Sequence, residues 1–141
     1  MRKVIRGKLY DTDTATMVAE WSDGYPRDFR YVSETLYRKR TGEYFVHGEG
    51  GPMSRYAESR GQNQYVGGEA IRPLSYDEAR EWTEAHADVD VYESEFGVPD
   101  EDGEHDLHVI VSEVAWQAIS RAASRDGVSV RAVIERLASM L

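Results

Sequence analysis

Hydrophobic and polar positions alternate with short periods through the first half of the chain and turn helical after residue 75. Val4-Ile5 and Leu9-Tyr10 flank Gly7 and run into Asp11-Thr12-Asp13-Thr14, the pattern of a short strand or hairpin leading into a turn. Met17, Val18, Ala19 and Trp21 favour a strand over a single helical turn from Thr16 to Trp21, closed by Ser22-Asp23-Gly24. Phe29 to Arg38 alternates around Phe29, Tyr31, Thr35 and Tyr37, and Glu43 to His47 carries Tyr44, Phe45 and Val46. Between them, Lys39-Arg40-Thr41-Gly42 reads as a turn whose glycine can take positive φ. This hairpin is expected at the centre of a small antiparallel sheet, each cross-strand aromatic pair adding about 0.2–1 kcal/mol over alanine. Gly48 to Gly51 is expected to break the sheet, and Met53 to Arg60 to form a short helix with Tyr56 buried. Gly61 to Gly68 reads as a polar loop, and Ala70 to Leu74 as a last short strand.

Ser75-x-x-Glu78 has the form of a capping box, which starts a helix running to about His86. Its spacing turns Ala79 and Trp82 inward and Asp77, Glu81 and Glu84 outward. After a break around Asp88, Val89, Tyr92 and Phe96 keep helical spacing until Gly97-Val98-Pro99. Leu107, Val109, Ile110 and Val111 suit one short strand, and from Val114 the pattern is helical again. Ala115, Ala118, Ile119, Ala122 and Ala123 share a face, with Gln117, Arg121 and Arg125 opposite. Asp126-Gly127 stops that helix, Ser129 is a natural N-cap, and Val130, Val133, Ile134, Leu137 and Leu141 make a second apolar stripe. The resulting division is an α+β recognition domain over 1–98, an acidic hinge over 99–106 and a C-terminal module over 107–141. One strand and two short helices cannot close a core alone, and a second copy of the chain would supply the missing half.

Strand, helix, Asp126-Gly127, Ser129-Val130 and helix, in this order and length, resemble the ribbon-helix-helix family of the Arc, MetJ and CopG class. The resemblance implies a homodimer in which two strands pair antiparallel and four helices interlock, through Leu107, Val109, Val111, Ile119, Val130, Ile134 and Leu137. It also implies a DNA-reading face at Asp106, His108 and Ile110, with a phosphate held at the turn of Ser129, Val130 and Arg131. The turn keeps that chemistry, whereas the face does not. An aspartate is repelled by the duplex, and Ile110 offers only contact to a thymine methyl. The module is therefore read first as a dimeriser, and DNA binding through His108, Ile110, Ser129 and Arg131 is the alternative.

Charge changes the picture of the middle of the chain. The net charge is −9 over 141 residues. Residues 1–60 hold 11 Lys/Arg and 9 Asp/Glu, and residues 107–141 hold four Arg and three acids. Residues 61–106 hold two Arg and 14 acids, so the excess sits in this one block. Such a block is either a solvated face or a surface that resembles nucleic acid to a basic partner. The chain has no cysteine, which fits a reducing cytoplasm, and no stretch resembles a signal peptide or a membrane span.

A second resemblance covers the first hundred residues, from Tyr10-Asp11-Thr12 through Glu34-x-Leu36-Tyr37, Gly42-x-x-Phe45-x-His47-Gly48-Glu49-Gly50-Gly51, Tyr56-Ala57-Glu58 and Gly67-Gly68-Glu69 to Pro73-Leu74, Glu78-Ala79 and Trp82. These positions are similar to short proteins carried by phages and integrative elements, and what that implies is context. Small acidic proteins of such elements are often inhibitors of host restriction or CRISPR systems. The expected function is thus a non-enzymatic, anti-CRISPR-like dimer needing no cofactor, whose partner is a host protein with a basic surface. Glu78, Glu81, Glu84, Asp88, Asp90, Glu93 and Glu95 would stand where phosphates lie. The alternative is a ribbon-helix-helix repressor or antitoxin. His47 and Glu49 beside glycines are the most enzyme-like spot, though an ordinary strand end is the preferred explanation. His47, His86, His105 and His108 lack zinc spacing. Arg38-Lys39-Arg40 reads as a soluble hairpin tip able to touch a phosphate backbone.

Overall fold

The structure, a computed structural model, describes residues 1–99 and 107–141. The chain divides into two compact units, Met1–Gly103 and Glu104–Leu141. Apart from Pro99, the acidic stretch read as a hinge lies outside the described residues, as do His105 and Asp106.

In the first unit a hairpin of β1 (Arg2–Ile5) and β2 (Lys8–Asp11) precedes a four-stranded antiparallel sheet. That sheet has the order β3 (Thr16–Asp23), β4 (Val32–Arg38), β5 (Tyr44–Gly50), β8 (Gly68–Leu74). Side chains alternate across each strand, so register decides which residues meet. Leu36 faces Val46, which faces Arg72 in the next strand, while Tyr37 faces Phe45, which faces Pro73. The first set looks toward two helices, α1 (Tyr76–His86) and α2 (Val89–Phe96). There Leu36, Tyr44, Val46 and Leu74 pack with Ala79, Trp82 and Phe96. On the opposite face Phe45 and Ile71 pack with Tyr10 from the hairpin. The Tyr10 ring meets Phe45 edge-on at 5.4 Å and Tyr37 stacks on it at 5.2 Å.

Local chemistry explains most element ends. Ser75 accepts from the Glu78 amide and Glu78 accepts from the Ser75 amide, both at 3.1 Å, which completes the capping box. The hairpin of β1 and β2, the strand from Thr16, the β4–β5 hairpin and the break at Asp88 form as the pattern predicts.

In this unit four expectations are corrected. Phe29 to Tyr31 is turn, with β4 beginning at Val32, because Met53 N–H and Gly51 N–H claim the carbonyls of Phe29 and Tyr31. Gly48 to Gly51 does not break the sheet, since β5 runs through Gly50. These glycines serve close approach: a Cβ on Gly48 would fall 2.0 Å from the Tyr56 ring, and one on Gly51 2.6 Å from the Phe29 carbonyl. Met53 to Arg60 is a succession of turns, not a helix, although Tyr56 is buried as expected. The loop expected over Gly61 to Gly68 contains β7 (Tyr65–Val66), which pairs with β6 (Glu58–Ser59) before it, and β8 already begins at Gly68.

In the second unit, α3 (Glu113–Asp126) begins on a Ser112 cap and ends on Gly127 in the left-handed conformation, φ 64°. Ser129 then caps α4 (Val130–Ala138) by accepting from the Ala132 amide at 3.1 Å. Leu107 to Val111, expected as a strand, is not one among the described residues.

Gly48→Ala should therefore destabilise the first unit by about 1–3 kcal/mol, through overpacking against Tyr56. A urea titration checks this, and an unchanged midpoint would mean that the Tyr56 ring yields freely.

Candidate partner-binding surfaces

The seven acids expected to form one face are divided by the helices that carry them. Glu81 and Glu84 on α1, Asp88 at the α2 N-cap and Asp90 on α2 are exposed, and Glu93 is half-buried. The Glu78 carboxylate is committed to its cap, and the backbone hydrogen bond at Ser75 holds its pKa below the usual value. Glu95 turns inward, its side chain only 11% exposed. One of its oxygens accepts from Arg38 Nη1 and from the Tyr44 hydroxyl, both at 2.6 Å. Burial first, then that carboxylate, pushes the Tyr44 phenol upward. Among the described residues the ion pairs of this unit leave Glu81, Glu84, Asp88 and Asp90 without a cation. A 250 Å³ pocket at the α1–α2 corner is lined by Val89, Tyr92 and Pro99 together with Glu84 and Asp88.

Beneath α1 lies a carboxylate that the sequence pattern does not flag. Glu34, on the helix-facing side of β4, is fully buried. Trp82 Nε1 donates to its Oε2 at 3.0 Å, and Arg72 Nη2 reaches the same oxygen at 3.5 Å. Arg55 Nη2 approaches Oε1 at 2.6 Å as a charge contact outside hydrogen-bond alignment, leaving that oxygen without a donor. The two arginines stay half-exposed, so the network pins α1 to the sheet while showing two guanidinium groups at its edge. His86 closes the arrangement, its ring 4.0 Å from that of Trp21 and 5.1 Å from that of Trp82. The available signal was Glu34 two residues from Leu36, a carboxylate at a core-facing position of a strand.

On the other face of the sheet, His47 Nε2 lies 2.8 Å from Glu69 Oε2 across the β5–β8 pair. Glu49 is exposed and is not the partner of His47. Among the described residues no group of three His, Asp or Glu is placed to hold a metal ion. No helix among them is long and apolar enough to cross a membrane.

The C-terminal unit is poorly filled, with only Ala123 and Val133 buried among its described residues. Leu107, Val109, Val111 and Leu137 are exposed, while Ile119, Val130 and Ile134 are half-buried. Val114, Trp116 and Met140, which the dimer interface had not included, are also exposed. Asp126 ties the helices, accepting from Arg136 at 2.7 Å and from Arg125 at 3.1 Å. Of the expected DNA-contacting residues, His108 and Ile110 are exposed, Ser129 caps α4, and Arg131 pairs with Glu135 at 3.1 Å. No protein-family profile, curated protein or solved structure matches the chain.

His86 supplies a pH test of the Glu34 layer. Burial among the tryptophans lowers its pKa from 6.5; the Glu34 charge works the other way and Arg55 reinforces the lowering. The unfolded chain thus binds this proton more readily, so its contribution is complete above pH 6.5 and is lost as pH falls through the folded value. Urea unfolding should show stability falling over that window, and His86→Gln should flatten the fall. An equal slope in the variant would remove His86 as the cause.

Proposed function

We propose that this chain is a non-enzymatic interaction protein that works as a homodimer. Its C-terminal unit joins two copies in ribbon-helix-helix fashion, and its acidic α1–α2 face meets a basic, nucleic-acid-binding partner. The observation that carries the proposal is the uncovered apolar surface of the C-terminal unit, with Leu107, Val109, Val111, Val114, Trp116 and Leu137 all open to water. Two buried side chains cannot hold a helical hairpin against its chain entropy, whereas a second copy would cover both stripes and give Leu107 to Val111 a ladder. Gly127 and the Ser129 cap support the same assignment, since they produce the interhelical turn that the resemblance requires.

On the acidic face, Glu81, Glu84, Asp88 and Asp90 take the part of phosphates, with Glu93 at their side. Glu78 and Glu95 stand behind them as cap and internal anchor. The resemblance to mobile-element proteins makes a CRISPR effector the most concrete partner, and pairing two such faces raises their effective concentration. A DNA-binding repressor or antitoxin is the second reading. The Ser129-capped start of α4 favours it, while Ile110 on the reading face and the Arg131–Glu135 pair weigh against it.

Light scattering on the purified chain should give twice the 16.0 kDa protomer mass. A Val109→Lys, Val111→Lys variant should give one protomer with the sheet's circular dichroism intact. A wild-type monomer at micromolar concentration would overturn the dimer. Capture of an effector from host lysate should weaken by roughly tenfold or more between low and high salt, and fail for Glu81→Lys, Glu84→Lys, Asp88→Lys. Salt-indifferent capture would remove mimicry. A gel shift on DNA upstream of the gene, abolished in Arg131→Ala, would instead support the repressor.

A further inference from the structure

Opposite the helices, the hairpin end of the first unit carries charge of the other sign. A 360 Å³ cavity is lined by Ile5, Arg6, Lys8, Tyr10 and Pro73, and a neighbouring 470 Å³ cavity by Lys8, Lys39, Arg40, Asp11 and Glu43, among others. Lys8 belongs to both, so the two are continuous in chemistry, with four cations against two carboxylates. Those carboxylates hold cations in place: Glu43 takes Lys8 at 3.1 Å and Lys39 at 3.2 Å, and Asp11 takes Arg2 at 3.2 Å. Lys39 is further fixed over the Tyr10 ring, 4.4 Å from its centre. Arg6 and Arg40 enter none of the described ion pairs of this unit.

Backbone geometry singles out Arg6 independently. Ile5 pairs with Lys8, so Arg6 and Gly7 form a two-residue hairpin loop, with φ 51° and 79°. Such a loop wants Asn, Asp or Gly at its first position, because a longer side chain in the left-handed region is strained. An arginine held there is a local cost that leaves stability unimproved and puts a guanidinium beside the Lys8 cavity.

We propose that this end of the molecule is a phosphate-backbone site. Arg6 and Arg40 contact successive phosphates of a nucleic-acid strand, and Lys8 and Lys39, kept in register by Glu43, supply the charge between them. Recognition is of the phosphodiester backbone, since cations outnumber the carboxylates in the lining and both carboxylates, Asp11 and Glu43, are already engaged by Arg2, Lys8 and Lys39. The inference goes beyond the protein-binding role of the acidic face. With that face on the helix side of the sheet and this site on the hairpin side, one protomer can hold a basic protein and the nucleic acid that the protein carries.

The test is fluorescence anisotropy of the full chain with a labelled oligothymidylate of about 20 nucleotides and with a duplex of similar length, at low salt. Binding should weaken with salt, and Arg6→Asn with Arg40→Ser should lower affinity roughly tenfold and reduce the salt slope by about 1 per cation. Arg6→Asn alone should raise the thermal midpoint while lowering affinity, which a merely structural role for Arg6 would not produce. Displacement by inorganic pyrophosphate would confirm that phosphate is what is recognised. Absence of binding to either oligonucleotide, or binding unchanged in the double variant, overturns the proposal. Loss in Arg131→Ala instead overturns it by assigning the nucleic acid to the C-terminal module. None of these results depends on whether a basic protein binds the acidic face.

Discussion

The fold of the first unit depends on one strand being covered from both sides. Phe45 and Val46 are consecutive in β5 and both are fully buried, although their side chains leave the strand in opposite directions. A sheet with one wet face cannot do this. The helices must lie on the Val46 side and the β1–β2 hairpin on the Phe45 side, and each cover has its own fastening. Trp82 binds Glu34 through the helical cover, while Tyr10 meets Phe45 edge-on through the hairpin cover. Removing either cover exposes one side of the strand: without the hairpin the Phe45 and Ile71 side loses Tyr10, and without the helices Val46 loses Trp82 and Phe96.

Patterns that depend on neighbours in sequence were legible in advance. The Ser75–Glu78 box, the glycine stop at 127 and the Ser129 cap need only three or four residues to act, and each forms as read. What was hidden depends on residues far apart. Phe29, Tyr31, Thr35 and Tyr37 drew attention to the odd-numbered face of β4, but the larger core is built on the even face from Glu34 and Leu36. Glu34 reads as an ordinary polar residue until Trp82, 48 positions away, supplies its donor. Gly48, Gly50 and Gly51 looked like a break because glycine weakens a lone strand, whereas here they admit a tyrosine ring and neighbouring carbonyls. Glu95 fell at the right spacing for the acidic face, yet Arg38 and Tyr44 draw it inward.

The C-terminal unit presents the opposite condition. Its local signals are strong and its long-range filling is poor, with only Ala123 and Val133 buried among its described residues. The same division of labour runs through the charges. Glu81, Glu84, Asp88 and Asp90 enter none of the described ion pairs of this unit, while Lys8 and Lys39 on the hairpin side are positioned by Glu43.

The four-stranded sheet is fastened differently at its two extremities. At one, Gly50, Gly51 and Gly67 let main chain pass against main chain, with Gly51 N–H donating to Tyr31 and Met53 N–H to Phe29. At the other, Glu43 gathers two lysines and Glu95 an arginine and a tyrosine. Uncharged contacts are indifferent to electrolyte and exposed ion pairs are screened by it. The Lys8–Glu43 pair is the more open of these, Lys8 being 60% exposed, so concentrated salt loosens the tie between β2 and the β4–β5 turn, while the Glu95 anchor, 11% exposed, is screened less.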